Sequence, residues 1–433
     1  MRAVSGFVLT DDQLLDFLRL EEDRVPRPVA EEILRRGDWM REPLTAICRD
    51  EHAWHQEGPA FWTPVHAAYL LGAIGGTGAL KGLLGALRWS SRYDVDWVWE
   101  SLPAMIGPLG RAAVPPLRAH AFDPDGGERE RVVAVHALAA VAARHSIEQG
   151  EILDLLRAGA EDEEEVAAVR GACALALLAF ARPGDRKAIL GEALRQRWVD
   201  RAPLFDEQDV EAAYARGTPD LSEYTADWMS FYDAARIEER QHAWREREED
   251  LRWSRGVSAG ASWVDRELGR FLELYEASLV DLGDEARGDA LWVADSMAEY
   301  LVRHEGRAPW RWNGATAFAF LMDVFARRVA ADHAGRIDAV PDAMSRFIGY
   351  CRREGRIGER EMAEAEARIA SERGEFVEAA RDPERRREAR ETLGRLVANG
   401  VDPSKPEREG TRVRRSAPAT RETARRSRES VAS

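Results

Sequence analysis

Cysteine is scarce: the chain of 433 residues holds three, Cys48, Cys173 and Cys351, far apart and with no CxxC pair. That excludes a disulfide framework and a cysteine-built zinc site, and it reads as three small buried side chains in a reducing compartment. Long apolar runs are missing too. The longest, such as ACALALLAFA from Ala172 to Ala181, falls short of the roughly 20 residues that span a bilayer. The opening MRAVSGFVLTDDQLL has no apolar h-region and meets acids early, so no signal peptide and a cytoplasmic location are expected. Two-residue alternation never persists, which removes the strand-based Rossmann, α/β-hydrolase and TIM-barrel classes together. Ser/His/Asp and Cys/His combinations have no framing motif. The 77 Asp and Glu residues are too many for sequence to single out a catalytic pair, so no catalytic residue and no cofactor are assigned.

What is present is helix. Thr10 with Gln13 three residues on forms a capping box ahead of Leu14, Leu15, Phe17 and Leu18. A second helix is expected from Pro28 to Gly37. From Phe61 onward an apolar helix recurs, as HAAYLLGAIG from His66, VWESLPAMIG from Val98, VVAVHALAAVA from Val132 and VRGACALALLAFA from Val169. The starts differ by 32, 34 and 37 residues, and each is followed by a turn and a second helix. One such hairpin cannot bury both its apolar faces; neighbours side by side can.

The composition predicts five segments: an N-terminal helical cap over 1–60, repeats over 61–197, a charged connector over 198–260, a second helical domain over 261–400, and a disordered Arg/Ser-rich tail over 401–433. In the second domain Val264, Leu268, Phe271 and Tyr275 keep a helical stripe, as do Met344, Phe347, Ile348 and Cys351. The net charge of -15 discourages contact with nucleic acid or membrane. The tail runs against that trend, with nine basic residues to four acidic ones between 403 and 433.

Few residues invite a chemical reading. His52 and His55, in DEHAWHQE, could share one helical face toward a zinc ion, yet no third ligand stands at a diagnostic spacing. The stretch GAIGGTGALKG lacks the Ser or Thr after Lys81 and the preceding strand that a phosphate loop needs. Tryptophan is plentiful and serves cores and interfaces alike. Trp97 and Trp99 are two apart and cannot share a helix face, so one of them is expected to line a groove. The pair Trp310 and Trp312 poses the same question, and Trp62 joins them as a candidate binding residue.

On HAAYLLGAIG, DWVWESLPAMIGPLGRAAVPPL and LFDEQDVEAA, the chain resembles uncharacterised bacterial HEAT-like repeat proteins, a domain of unknown function, while the stretch from Trp310 through PDAMSRFIGYCRREGRI resembles a segment of other uncharacterised bacterial proteins. The resemblance implies an all-α fold, a HEAT-like α-solenoid of helical hairpins followed by a second helical domain. It carries over no activity and no catalytic residue. The expected function is a non-enzymatic interaction or scaffold protein that holds a protein partner in a repeat groove. The alternative is a nucleic-acid-acting or cofactor-modifying enzyme on the same fold.

Overall fold

The computed structural model describes residues 9–199, 204–325 and 337–382. Among these residues there are helices and turns and no strand. The tail over 401–433 lies outside the described residues. No described helix is long and apolar enough to cross a membrane. The chain divides into two compact units, the first reaching Arg240 and the second starting at Gln241. That boundary falls inside the stretch read as a charged connector.

The first unit opens as its local signals require. Helix α1 (Asp11–Leu20) starts on the Thr10–Gln13 capping box, with both reciprocal hydrogen bonds formed. Helix α2 (Arg27–Arg36) carries Pro28 in its first turn, where a missing N–H does no harm, and stops at Gly37, whose φ of 55° suits glycine. After α3 (Asp38–Arg49) comes α4 (Trp62–Ile74). Every residue of α4 from Trp62 to Gly72 is buried. A helix apolar on all sides belongs in the interior, and α4 is flanked by α3 and by α5 (Leu80–Arg92).

The second apolar segment departs from the continuous helix its composition suggests. It is broken into α6 (Asp96–Trp99) and α7 (Leu102–Ile106), followed by a 3-10 stretch, Gly107–Ala113, before α8 (Val114–Ala121). The cause is local. Pro103, Pro108, Pro115 and Pro116 each lack an N–H, and Gly110 sits at φ 60°. Order returns with α9 (Glu128–Arg144), α10 (Ser146–Glu161), α11 (Ala167–Phe180) and α12 (Arg186–Val199). Packing is mostly between neighbours in sequence: α7 and α8 on α9, α9 on α10 and α11, α10 on α11, and α11 on α12. Small residues permit the close approach. A Cβ at Gly107 would lie 2.9 Å from the Ala140 carbonyl oxygen, and one at Gly72 would lie 2.8 Å from the Met105 Cβ.

Charged side chains join these helices from within. The Glu192 carboxylate of α12 is fully buried and accepts from Arg170 of α11 at 2.7 Å. Asp185, also fully buried, takes Arg157 and Arg182. Arg131 of α9 reaches Glu165 and the Ala121 carbonyl. A buried carboxylate without its guanidinium would be strongly unfavourable, so these pairs fix the relation of one hairpin to the next.

Past α12 the chain turns back. Helix α13 (Glu207–Arg216) begins on an Asp206–Asp209 capping box and ends at Gly217, in the left-handed region. Residues 218–227 are irregular, and a short 3-10 turn, Trp228–Tyr232, leads into α14 (Ala234–Ser258).

The second unit is built from the end of α14 with α15 (Ser262–Ala277), α16 (Asp284–Glu299), α17 (Gly314–Phe318), α18 (Val340–Arg353) and α19 (Glu359–Arg381). Both α16 and α17 run on into π-helical turns, Tyr300–His304 and Ala319–Phe325. Helix α16 packs on α15 and α18, and α19 packs on α17 and α18. The stripes read from sequence face this core: Val264, Leu268, Phe271 and Tyr275 on α15, and Met344, Phe347, Ile348 and Cys351 on α18, are all buried.

Candidate functional site

The returning segment, residues 218–240, is the feature that shapes the first unit's surface. It crosses the helices in the reverse of their chain order. The Asp220 N–H donates to the Ala179 carbonyl of α11 at 2.8 Å. Tyr224 reaches His136 of α9, Trp228 donates from its indole N–H to the Tyr69 carbonyl of α4 at 3.2 Å, and Tyr232 reaches His66 of α4. Arg27 of α2 then pairs with Asp233, and Arg240 closes on the Asp23 carboxylate and carbonyl. We call this segment the strap.

Two histidine–tyrosine hydrogen bonds pin it. His66 Nε2 lies 2.6 Å from the Glu22 carbonyl oxygen, which can only accept, so Nε2 carries the proton. Nδ1 is then a bare lone pair and accepts from the Tyr232 hydroxyl at 3.0 Å. The imidazole must be neutral to serve both partners. Complete burial pushes its pKa down to about 4; the nearby Arg240 charge adds to this, and the Glu22 carbonyl and Asp23 oppose it. His136 repeats the arrangement on α9, with Nδ1 at 3.1 Å from the Tyr224 hydroxyl. Burial lowers its pKa as well, against the pull of Glu223. Both tyrosines are buried, and burial pushes their hydroxyls well above the ordinary phenol range.

Around the first pin sits an aromatic cluster. Phe231 of the strap lies against Trp62, His66, Tyr69 and Trp97, with centroid distances of 4.8 to 6.4 Å. The Arg240 guanidinium covers the Phe231 ring at 3.8 Å. The Tyr69 hydroxyl donates to the Trp97 carbonyl at 2.7 Å and meets the Ser101 hydroxyl at 3.0 Å.

Between the strap and the helices a partly open cleft of about 850 Å³ remains. Its floor is apolar, from Pro103, Ala104, Val132, Val133, Ala172 and Leu175. Two half-buried indoles, Trp99 and Trp228, stand at its sides, and the rim carries Glu100, Glu128, Glu223 and Asp227 with Arg129, Arg236 and Arg240.

The tryptophans singled out from sequence separate accordingly. Trp99 lines the cleft, and its indole N–H is held by Asp96 at 2.7 Å. Trp62 is buried under the strap beside Trp97, which is half-buried. Trp310 and Trp312 are buried in the second unit's own core, packed on Trp253 and Phe271 and on Phe320. His52 and His55 lie in a 3-10 turn, Glu51–His55. Their rings meet edge to face at 5.0 Å, and His55 also faces Tyr93. Among the described residues no group of three His, Cys, Asp or Glu side chains is placed to hold a metal. The three cysteines are free and buried, and burial pushes their thiols up, that of Cys173 to about 12.

Sequence reasoning weighed His66 only beside His52 and His55, and it missed its pinning role, His136 and the strap's Tyr224, Trp228, Phe231 and Tyr232. One signal was available. DLSEYTADWMSFYD places four aromatics within nine residues of an otherwise acidic, turn-rich stretch, and such a density needs a place to be buried. Compared with known proteins, the chain matches no family model, no curated protein and no solved structure.

Proposed function

We propose that this is a non-enzymatic binding protein, built on a HEAT-like array of helical hairpins, whose cleft docks an extended segment of a partner protein. The observation that carries the reading is the strap. Its residues 218–232, no longer than short turns in secondary structure, lie across α11, α9 and α4, held by aromatic side chains and main-chain hydrogen bonds. A surface that accepts one such segment and leaves an apolar-floored cleft beside it has the form of a peptide groove. The HEAT-like assignment is supported by packing that pairs each helix mainly with its sequence neighbours. Three free, buried thiols agree with a reducing, cytoplasmic setting.

The cleft offers little to an enzymatic reading. The imidazole among its described lining residues, that of His136, is half-buried and hydrogen-bonded to a phenol. The rim carboxylates, interleaved with arginines, also disfavour a polyanion. The test is peptide display against the purified chain, with selected peptides measured on Ala168→Trp, a half-buried cleft position of α11. Selected peptides should lose at least about tenfold in affinity when the indole fills the space. Peptides that bind both proteins equally, or a selection that yields none, overturn the reading.

A further inference from the structure

We infer that the segment the cleft takes is basic: an extended stretch of a partner protein in which Arg or Lys side chains alternate with apolar ones. The inference rests on the docking reading above and specifies the partner's chemistry.

The rim charges differ in whether they are already engaged. Each arginine of the lining has an acidic partner elsewhere. Arg129 pairs with Asp94 while lying 5.5 Å over the Trp99 ring, Arg236 donates to Glu239 at 2.8 Å, and Arg240 is spent on Asp23 and the Phe231 carbonyl. The carboxylates are different. Glu128, Glu223 and Asp227 pair with no Arg or Lys among the described residues, and Asp227 only caps its own turn, through the Met229 N–H at 3.0 Å. An incoming chain therefore meets uncompensated negative charge at the rim.

The side walls fit the same partner. A planar guanidinium is weakly hydrated and stacks on indole faces, as Arg129 does on Trp99. The Trp228 N–H is fixed on the Tyr69 carbonyl, which holds that ring in place at the cleft's edge. Beneath the rim, Val133, Ala172 and Leu175 offer nothing to a charged group and accept aliphatic side chains. Rim charge of this kind selects partners and speeds encounter, while the floor supplies the anchoring.

The test uses the full chain and three fluorescein-labelled ten-residue peptides: alternating Arg and Leu, alternating Glu and Leu, and alternating Arg and Ser, read by anisotropy. The Arg/Leu peptide should bind at least about tenfold more tightly than either of the others. The double variant E128Q/E223Q, with both sites exposed, should weaken it about tenfold, two rim charges being lost. An unchanged melting curve for that variant checks that the fold is intact. Equal binding of Arg/Ser would mean charge alone acts and overturns the inference. Glu/Leu binding that is as tight and is lost in Ala168→Trp overturns it too, while leaving the docking reading standing. Binding of no peptide, or binding indifferent to Ala168→Trp, sinks both.

Discussion

Both units bury many aromatic side chains, but only in the second is the polar end of such a ring left buried and unpaired among the described residues. In the first, the hydroxyls of Tyr69, Tyr224 and Tyr232 and both nitrogens of His66 all find partners, and the groups they tie together border a cleft. In the second, Trp253, Tyr275, Trp312, Phe320 and Phe347 share one core; the Trp310 and Trp312 indoles and the Tyr300 hydroxyl find partners in Glu249, the Pro309 carbonyl and Glu305, whereas the Trp253 indole N–H and the Tyr275 hydroxyl are buried with no hydrogen-bond partner among the described residues. A satisfied polar network specifies one arrangement of the strap. A core of interlocking rings specifies volume. Aromatic content alone does not mark a site; what marks it is aromatic groups whose polar ends are used to hold a second chain segment in place.

The largest expected effect tests whether the second unit's rings act only through volume. Trp312→Ala should cost about 3–5 kcal/mol of stability, since its ring is fully buried on Tyr300 and Phe320. Calorimetry should show the loss, and peptide binding at the cleft should be unchanged at temperatures where the fold persists. A binding defect in this variant would mean that the two regions are not separate in function.

The next effect is a pH dependence carried by the strap's histidine. The unfolded chain takes a proton at His66 near its ordinary pKa of 6.5, whereas the folded chain resists until about 4. Above 6.5 both states are neutral and the site adds no slope. Between 6.5 and 4 the unfolded state binds more protons, so stability falls as pH falls, by about 3 kcal/mol in all, and levels off below. His136, depressed in the same direction, adds to the slope. Urea melts across this range, compared with His66→Gln, check it: the variant should lose about 3 kcal/mol of the pH-dependent change, with the His136 share remaining. An equally steep wild-type and variant profile would remove His66 from the account.

Much of this fold could be read from the chain in advance, and the unread part has a physical reason. The capping box at Thr10, the stop at Gly37 and the stripes on α15 and α18 are local signals, and each stands where its residues put it. The break at Pro103 and Gly110 was also written locally, in the prolines, but an apolar run masks it. The strap is a different case. Tyr224 and Tyr232 are 88 and 166 residues from the histidines they bind, and no periodicity links partners so distant. Of the residues around the cleft, sequence singled out Trp97 and Trp99, through spacing that denied them a shared helix face, and named Trp62, which lies beside Trp97. Trp310 and Trp312 share that spacing and are buried in a core. Spacing can show that two rings diverge; it cannot show whether the outward one meets solvent or another helix.

A matched pair of small changes sharpens the contrast between the units. Tyr232→Phe leaves the ring in place but strips the donor from His66 Nδ1, a fully buried lone pair. It should cost about 1–3 kcal/mol and raise the amide exchange rates of the strap. Tyr275→Phe removes a hydroxyl that is equally buried and has no hydrogen-bond partner among the described residues, so the same chemical deletion should be neutral or slightly stabilising, within about 0.5 kcal/mol. Both are read from denaturant midpoints at pH 7.5, where the histidine protonation above plays no part. Equal losses in the two variants would mean that phenol burial by itself, and not the histidine contact, sets the energetics, and the strap would then be held by packing as the second unit's rings are.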